Sequence, residues 1–310
     1  MARIDLRERI KQGLFLLDGA MGTELIARGL EAGRCNDYLN IESPDIIFDI
    51  HRAYLQAGSD AILTNTFGAN KFVLLRHRLA DEVVRINVAS AKIARRAAGE
   101  EKYVLGDIGP AGDFLEPLGN VKPEQLRTAV AQQAKALLDG GVDGFILETM
   151  TAVDEATIAV EAVKSTCRLP VFVSFGFDQT GDSFRTMMGV DVESAVSKMV
   201  LLGVDAVGFN CGTASLEGYV ELAEKFVSAI KALEKTRVTS HESRVTIFAE
   251  PNAGKPELIE GRVIYKVSPE DFSVMAEKIH SAGVTIIGGC CGTGPAHIVA
   301  VSRKLRKQGC

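Results

Sequence analysis

Three cysteines stand in settings that suit thiolate chemistry: Cys211 in Phe-Asn-Cys-Gly, and the adjacent Cys290 and Cys291 in Gly-Gly-Cys-Cys-Gly-Thr. Three thiolates with an open fourth position are the donor pattern of a catalytic zinc, since structural zinc is usually closed by four protein ligands. Successive side chains on a strand point to opposite faces, so Cys290 and Cys291 can share an ion only where the backbone has left strand geometry. Gly288, Gly289 and Gly292 permit that departure. Adjacent cysteines are also compatible with burial as small apolar groups or with a vicinal disulfide, but the glycine frame and the pairing of two separate motifs favour the ion. Cys35, Cys167 and Cys310 stand alone and read as small hydrophobes. His297, six residues past Cys291, reads as a capping residue at a helix start and not as a ligand.

Sharing one ion requires a scaffold that carries residue 211 to residue 290. Eight short apolar runs, at 14–18, 61–65, 103–107, 144–148, 171–175, 206–210, 246–250 and 285–289, predict eight strands separated by helix-patterned segments. Continuous apolar runs are what strands buried on both faces require. Four strands follow one recurring phrase, Ala-Gly-Ser-Asp (57–60), Gly-Gly-Val-Asp (140–143), Leu-Gly-Val-Asp (202–205) and Ala-Gly-Val-Thr (282–285), which reads as a helix C-terminal glycine and a tight turn. Eight βα units predict an α/β fold, a closed (β/α)8 TIM barrel forming a single domain over 1–310, with 1–13 as an N-terminal extension. An open doubly wound sheet usually stops at about five to seven strands. Barrels of this kind use about 250 residues, and the surplus falls in the front segment and in connections 19–45, 107–123, 176–191 and 251–268, the last four all following strands. Barrel active sites occupy that end. The polar stretch 233–244 precedes a strand and reads as a surface loop at the other end.

The strand ends carry chemistry beyond the thiols: Asp18, Asn65, Asp107, Glu148, Glu250 and Asn252 collect on the same rim. Asn65 and Asp107 fit turn formation as well as ligand contact, and Thr66 and Phe67 read as wall. A pair of carboxylates beside a thiolate site could hold an ammonium group and orient a bound ligand.

The formal net charge is −5, with no basic run able to neutralise a phosphate backbone, so nucleic acid is not an expected partner. No stretch approaches the roughly 20 apolar residues of a membrane span, and the charged opening MARIDLRERIKQG lacks a signal-peptide core. No membrane association and a cytoplasmic location are expected, with unevenly placed cysteines serving thiol or metal chemistry rather than a disulfide framework.

The set LDGAMGTEL, LTNTFGAN, GDIGPAG, LETM, FNCG, EPNAGKP and GGCCGT, spread from Leu14 to His297, resembles the homocysteine S-methyltransferase family, and most closely the N-terminal homocysteine-binding barrels of cobalamin-dependent methionine synthase. The resemblance implies that Cys211, Cys290 and Cys291 hold Zn2+ and that the substrate sulfur supplies the fourth bond. It implies that Asp18 and Glu148 hold the amino group of homocysteine, with Asn252 nearby and the Gly19–Ala20 backbone helping to cradle the amino acid. The substrate carboxylate would then be met mainly by backbone N–H groups, with Arg185 a weaker candidate. The implied activity is S-methylation of homocysteine to methionine by a zinc-dependent methyltransferase. The Thr64–Gly68 and Ile108–Pro110 segments look like the cobalamin-linked branch, so methylcobalamin on a separate corrinoid-carrying domain or protein is the expected donor. No Asp-x-His-x-x-Gly corrinoid signature occurs in the sequence. Betaine- or S-methylmethionine-dependent methylation and a non-catalytic zinc or thiol protein are the alternatives.

Overall fold

The computed structural model describes residues 3–30, 33–235, 245–259 and 262–306. Cys310 and most of the 233–244 stretch lie outside the described residues. Eight parallel strands form one sheet: β1 (Phe15–Leu16), β2 (Ala61–Leu63), β3 (Tyr103–Ile108), β4 (Gly144–Met150), β5 (Val171–Phe175), β6 (Ala206–Asn210), β7 (Thr246–Glu250) and β8 (Ile286–Ile287). Each is followed by a helix: α1 (Pro44–Ala57), α2 (Val83–Ala98), α3 (Pro123–Gly140), α4 (Val153–Thr166), α5 (Val192–Leu201), α6 (Leu216–Lys235), α7 (Pro269–Ala282) and α8 (Pro295–Arg306). β1 pairs with β8, and the ladder then runs back through the strands to β2. The expected TIM barrel is the observed fold, and all eight predicted strands are present. No described helix is long and apolar enough to cross a membrane.

The recurring glycine phrase does what its chemistry predicts. Gly58, Gly141, Gly203 and Gly283 take φ of 113°, 95°, 65° and 117°, the left-handed turn that ends a helix and that a side chain would strain. The aspartates of the same phrases have a further job. Asp60, Asp143 and Asp205 accept backbone N–H groups of Leu16, Val104 and Val171 at 2.9, 2.8 and 2.8 Å, tying the entrance of one strand to its neighbour. Each also takes an arginine from the N-terminal extension: Arg9, Arg3 and Arg7 respectively. Beside those arginines in the chain, Leu6 and Ile10 are buried against the barrel interior. The extension is therefore a plug for the barrel floor.

The seam between β1 and β2 is closed by side chains as well as backbone. Asp60 donates its N–H to Leu16 O at 2.7 Å, and at the other end Asp18 Oδ2 accepts the Leu63 N–H at 3.0 Å. The outer core lies between sheet and helices, while Phe15, Leu17, Tyr103, Leu105, Ile146, Phe172 and Phe248 fill the barrel. Two residues further along their strands, on the same face by the two-residue period, stand Asp107, Glu148, Ser174 and Glu250. An apolar barrel interior thus ends in a polar layer at its upper rim.

Candidate active site

Above that layer lies a cavity of about 520 Å³ lined by Asp18, Asp107, Glu148, Glu250 and the three motif cysteines. The loops after β1 and β2 wall it, together with the ends of β3, β4 and β7 and the residues just past β6 and β8; of the four long connections expected to enlarge this end, 19–45 lines the cavity, whereas 176–191 and 251–268 do not and 107–123 contributes Asp107 at the end of β3.

The sulfurs of Cys211, Cys290 and Cys291 lie within 4.8 Å of one another. Four zinc–sulfur bonds of about 2.3 Å in a tetrahedron would set sulfurs about 3.8 Å apart, and Cys290 and Cys291 stand at 3.9 Å. The donor set fits zinc. β8 stops at Ile287, so both members of the pair leave strand alternation and reach the same point. Gly292 takes φ of 83°, and a Cβ there would meet the Tyr265 ring at 2.2 Å. Cys211 would face away from the cavity if β6 continued; instead it takes φ of 54°. Thr149, which follows Glu148, does the same at 60°. Positive φ at non-glycine residues is strained and tends to gather where function demands it.

The thiols share their protons unequally. Hydrogen bonds from Cys290 and Cys291 pull the Cys211 thiol down to about 2; the same bonds push Cys291 up to about 11 and Cys290 well above the ordinary range. Sharing protons in this way keeps the three thiols from ionising together, and a cation is what would let them.

Beneath the sulfurs the carboxylates crowd together. Burial raises Asp18 well above the usual carboxylate range against the opposing Leu63 N–H bond, and raises Glu250 likewise, with the charges of Glu148 and Asp18 adding to it. Burial also lifts Glu148 to about 7, while a hydrogen bond from the protonated Asp107 pulls the other way. Asp107 Oδ1, Glu250 Oε2 and Asn252 Oδ1 are buried without a hydrogen-bond partner. The basic groups lining the cavity among the described residues are Arg34, which pairs with Glu42, and His77. Five acids, Asp18, Asp37, Asp107, Glu148 and Glu250, around a space with so little positive charge form a receptor for a cation.

Asn210 and Asn252 bind the two halves together. Asn210 Oδ1 accepts the Thr149 N–H at 2.9 Å and the Ser174 hydroxyl at 2.8 Å, which turns its Nδ2 toward Glu148 Oε2 at 3.0 Å and Cys290 Sγ at 3.7 Å. Asn252 Nδ2 donates to Gly212 O at 3.0 Å and Cys211 Sγ at 3.8 Å. Tyr219 donates to Cys211 O at 2.8 Å.

Other expected contacts are placed differently. Gly19 lines the cavity, and a Cβ on it would strike Thr293 and Tyr54. Ala20 lines it too, yet its N–H is committed to Thr293. Arg185 sits in the hairpin after β5, bonded to Gly189 O and Asp191, and does not line the cavity. Asn65 donates to Asn36 O, a loop contact. His297 caps α8, accepting the Gly294 N–H at Nδ1 while Nε2 meets Val267 O. Cys35 lines the outer cavity, its thiol pushed to about 11 by burial and by Asp37, and Cys167 packs on the outer core. Asn210, Tyr219 and Tyr265 had no assigned role; the strand period pointed Asn210 inward, whereas nothing in the sequence marked the tyrosines.

A (β/α)8 barrel that gathers three thiols and several acids at the carboxyl ends of its strands holds them at the end where active sites of this fold lie. Residues 15–305 match the homocysteine S-methyltransferase family, and the chain belongs to it. It is 34% identical over 318 residues to methionine synthase of Mycobacterium tuberculosis and 35% identical over 323 residues to that of Mycobacterium leprae, covering 96% and 98% of this chain and 25% of each relative. The chain thus spans about a quarter of the length of these relatives. Among solved structures, the metallated homocysteine methyltransferase MmuM from Escherichia coli superposes with a TM-score of 0.74 at 23% identity, covering 97% of this chain and 99% of that one, a likeness of fold.

Proposed function

We propose that this chain binds homocysteine and presents its sulfur for methylation to methionine. The observation that carries the reading is the convergence, in one cavity, of three sulfurs spaced for zinc and a carboxylate cluster with little opposing charge. A free thiol of pKa about 8.5 is only a few per cent thiolate at pH 7. Cys211, Cys290 and Cys291 would hold a zinc ion, which when bound would supply the Lewis acidity that keeps a substrate thiol deprotonated.

The rest is work for the chain's own groups. Asp18 and Glu148 receive the ammonium group, Glu148 held in place by Asn210, with Asn252 Oδ1 as a further acceptor and the Gly19–Ala20 backbone shaping the wall. Fixing both ends of the amino acid aims one sulfur lone pair out of the cavity and turns methyl transfer into an oriented reaction, an effect worth several kcal/mol in well-aligned cases. The methyl carbon joins that sulfur, and the electron pair of the broken bond stays with the donor.

For the donor we infer a corrinoid carried by another domain or protein, in a cytoplasmic setting. The support is the relation to methionine synthases over nearly the whole chain and the cobalamin-branch character of the Thr64–Gly68 and Ile108–Pro110 segments. The deciding experiment quantifies zinc in the purified chain, then offers homocysteine with methylcobalamin, betaine or S-methylmethionine separately and assays methionine. Methionine from methylcobalamin is expected. A chain that holds no zinc, or that makes no methionine from any donor, overturns the reading, and methionine from betaine or S-methylmethionine alone overturns the corrinoid assignment.

A further inference from the structure

Phe67, in the loop after β2, combines two opposed properties: an aromatic ring left 43% exposed and a backbone held by groups from several elements. Asn40, in the short helix Leu39–Glu42, donates to Asn65 O at 2.7 Å, Gln133 on α3 donates to Thr66 O at 2.8 Å, and Asn87 on α2 donates to Ala69 O at 2.9 Å. The Gly109 N–H donates to Phe67 O at 3.0 Å, and Asp37 Oδ1 accepts the Gly68 N–H at 3.0 Å. All three amide side chains are buried, and Asn40 Oδ1, Asn87 Oδ1 and Gln133 Oε1 have no hydrogen-bond partner. A bare buried oxygen is costly, so the bonds to carbonyls, to the loop and in two cases also to Asp37 O or Val83 O, are what orients these side chains.

Of the exposed large hydrophobic side chains among the described residues, Phe67 is the one that lines the cavity. Its ring lies on Gly109, where a Cβ would stand 2.7 Å from Cδ2 and Cε2. With its backbone bonded on both sides the residue is a fixed part of the wall, unsuited to swinging as a lid. A quaternary ammonium or sulfonium donor is recognised where several aromatic faces enclose the cation. Here Phe67 is the single Phe or Tyr lining the cavity among the described residues, and the sequence has no Trp. One open ring at the mouth fits a broad, flat donor that covers the cavity from outside and buries the exposed part of the ring on contact.

Resting on the homocysteine methylation reading above, we propose that Phe67 is the donor-contact residue of this site, packing its exposed ring against the face of a corrin macrocycle, and that Asn40, Asn87 and Gln133 are positioning residues that hold it there. The division of labour is specific. Homocysteine is held by acids and thiols deeper in the cavity, so loss of the ring weakens the donor and leaves homocysteine and zinc as they are.

The test uses the zinc-loaded chain with homocysteine and free methylcobalamin. Methionine formation gives KM for the donor, saturation-transfer NMR from protein to corrin protons reports contact without turnover, and calorimetry and metal analysis report homocysteine binding and zinc. Phe67→Ala should raise KM for methylcobalamin roughly tenfold, about 1.4 kcal/mol, the scale of the apolar contact removed, and weaken the saturation-transfer signal, with homocysteine affinity and zinc content unchanged. Phe67→Leu should recover part of the loss. Gln133→Met removes one bond to the loop while the Ala69 N–H still serves Thr66 O, so the variant should fold. It should raise the donor KM roughly threefold in wild type and have no further effect in Phe67→Ala. An unchanged donor KM in Phe67→Ala, loss of homocysteine affinity or zinc in that variant, or an equal effect of Gln133→Met with and without Phe67 overturns the inference alone. A wild type that makes methionine from betaine or S-methylmethionine but not from methylcobalamin, or from no donor, overturns the reading on which it rests.

Discussion

His51 offers a sharp test of how the helix layer supports the barrel. It lies on α1, fully buried, with neither ring nitrogen hydrogen-bonded. Burial lowers its pKa from 6.5 to about 3, so the native state holds a neutral imidazole where the unfolded chain binds a proton. The unfolded state therefore takes up more protons between pH 3 and 6.5, and this residue's share of stability falls as pH drops through that window. At pH 7.5 the effect is close to zero; at pH 5.0, about 1.5 units below the unfolded pKa, it amounts to about 2 kcal/mol. The acids with raised pKa values, Asp37 at about 6 and Glu148 at about 7, act in the opposite direction over the same range, so the wild-type pH dependence alone decides nothing. His51→Leu separates the terms, because its packing change enters at both pH values and cancels. Urea unfolding of both proteins at pH 7.5 and 5.0 should show the variant losing about 2 kcal/mol less than wild type on acidification. Equal losses in the two proteins would mean that His51 is hydrated or protonated in the native state, and the argument from burial would fail.

Three further outcomes follow from the site and its floor. Cys211→Ala should abolish stoichiometric zinc and methionine formation together, as read by metal analysis and product assay, because two thiolates and solvent are a poor substitute for three; full metal retention would remove Cys211 from the site. Glu148→Gln should retain zinc yet weaken homocysteine binding by about 1–2 kcal/mol, roughly 5- to 30-fold by calorimetry at pH 8, as a charge-assisted bond becomes a neutral one. Asp60→Ala, which strands the Leu16 N–H and the cations Arg9, Lys102 and Arg306, should lower unfolding free energy by about 2–4 kcal/mol without altering zinc content.

Much of this molecule could be read from its residues because the barrel leaves local marks. Strands buried on both faces must be continuously apolar, and helices that turn tightly into strands must end in a residue able to take positive φ; hence all eight strands and the four glycine turns were legible. The thiol trio was legible for a different reason, since three cysteines on strand ends of a closed sheet can converge wherever the loops allow. The partners of these groups were harder to read. Asn210 and Glu250 follow from counting by two from Gly208 and Phe248, but Cys211, next in line, breaks that count through its own positive φ. The packing of Tyr265 on Gly292 joins residues on separate loops, and no local pattern specifies it. The aspartates of the repeated phrases looked like turn residues, and only the fold reveals them as anchors for arginines some 50 to 200 positions away.

The carboxylate cluster sets the terms on which a ligand enters. Glu148 has a folded-state pKa of about 7 against 4.5 in the unfolded chain, so the native state binds the extra proton and this residue's contribution to stability declines as pH rises from 4.5 to 7. Beyond that its ionisation penalty is complete, at roughly 3 kcal/mol. An ammonium group placed against the ionised carboxylate offsets the penalty, and at pH 6 there is less to offset because Glu148 is mostly protonated. The amine of a bound amino acid should therefore stabilise the protein more at pH 8 than at pH 6. Comparing homocysteine with 4-mercaptobutanoate, which keeps thiol and carboxylate but lacks the amine, isolates that contribution from thiol deprotonation common to both. In thermal melts of the zinc-loaded chain the advantage of homocysteine should widen by up to about 1.4 kcal/mol, tenfold in affinity, from pH 6 to pH 8. If the two ligands stabilise equally at both pH values, the acids of the cavity floor do not receive the amine, and their crowding must answer to some other cation.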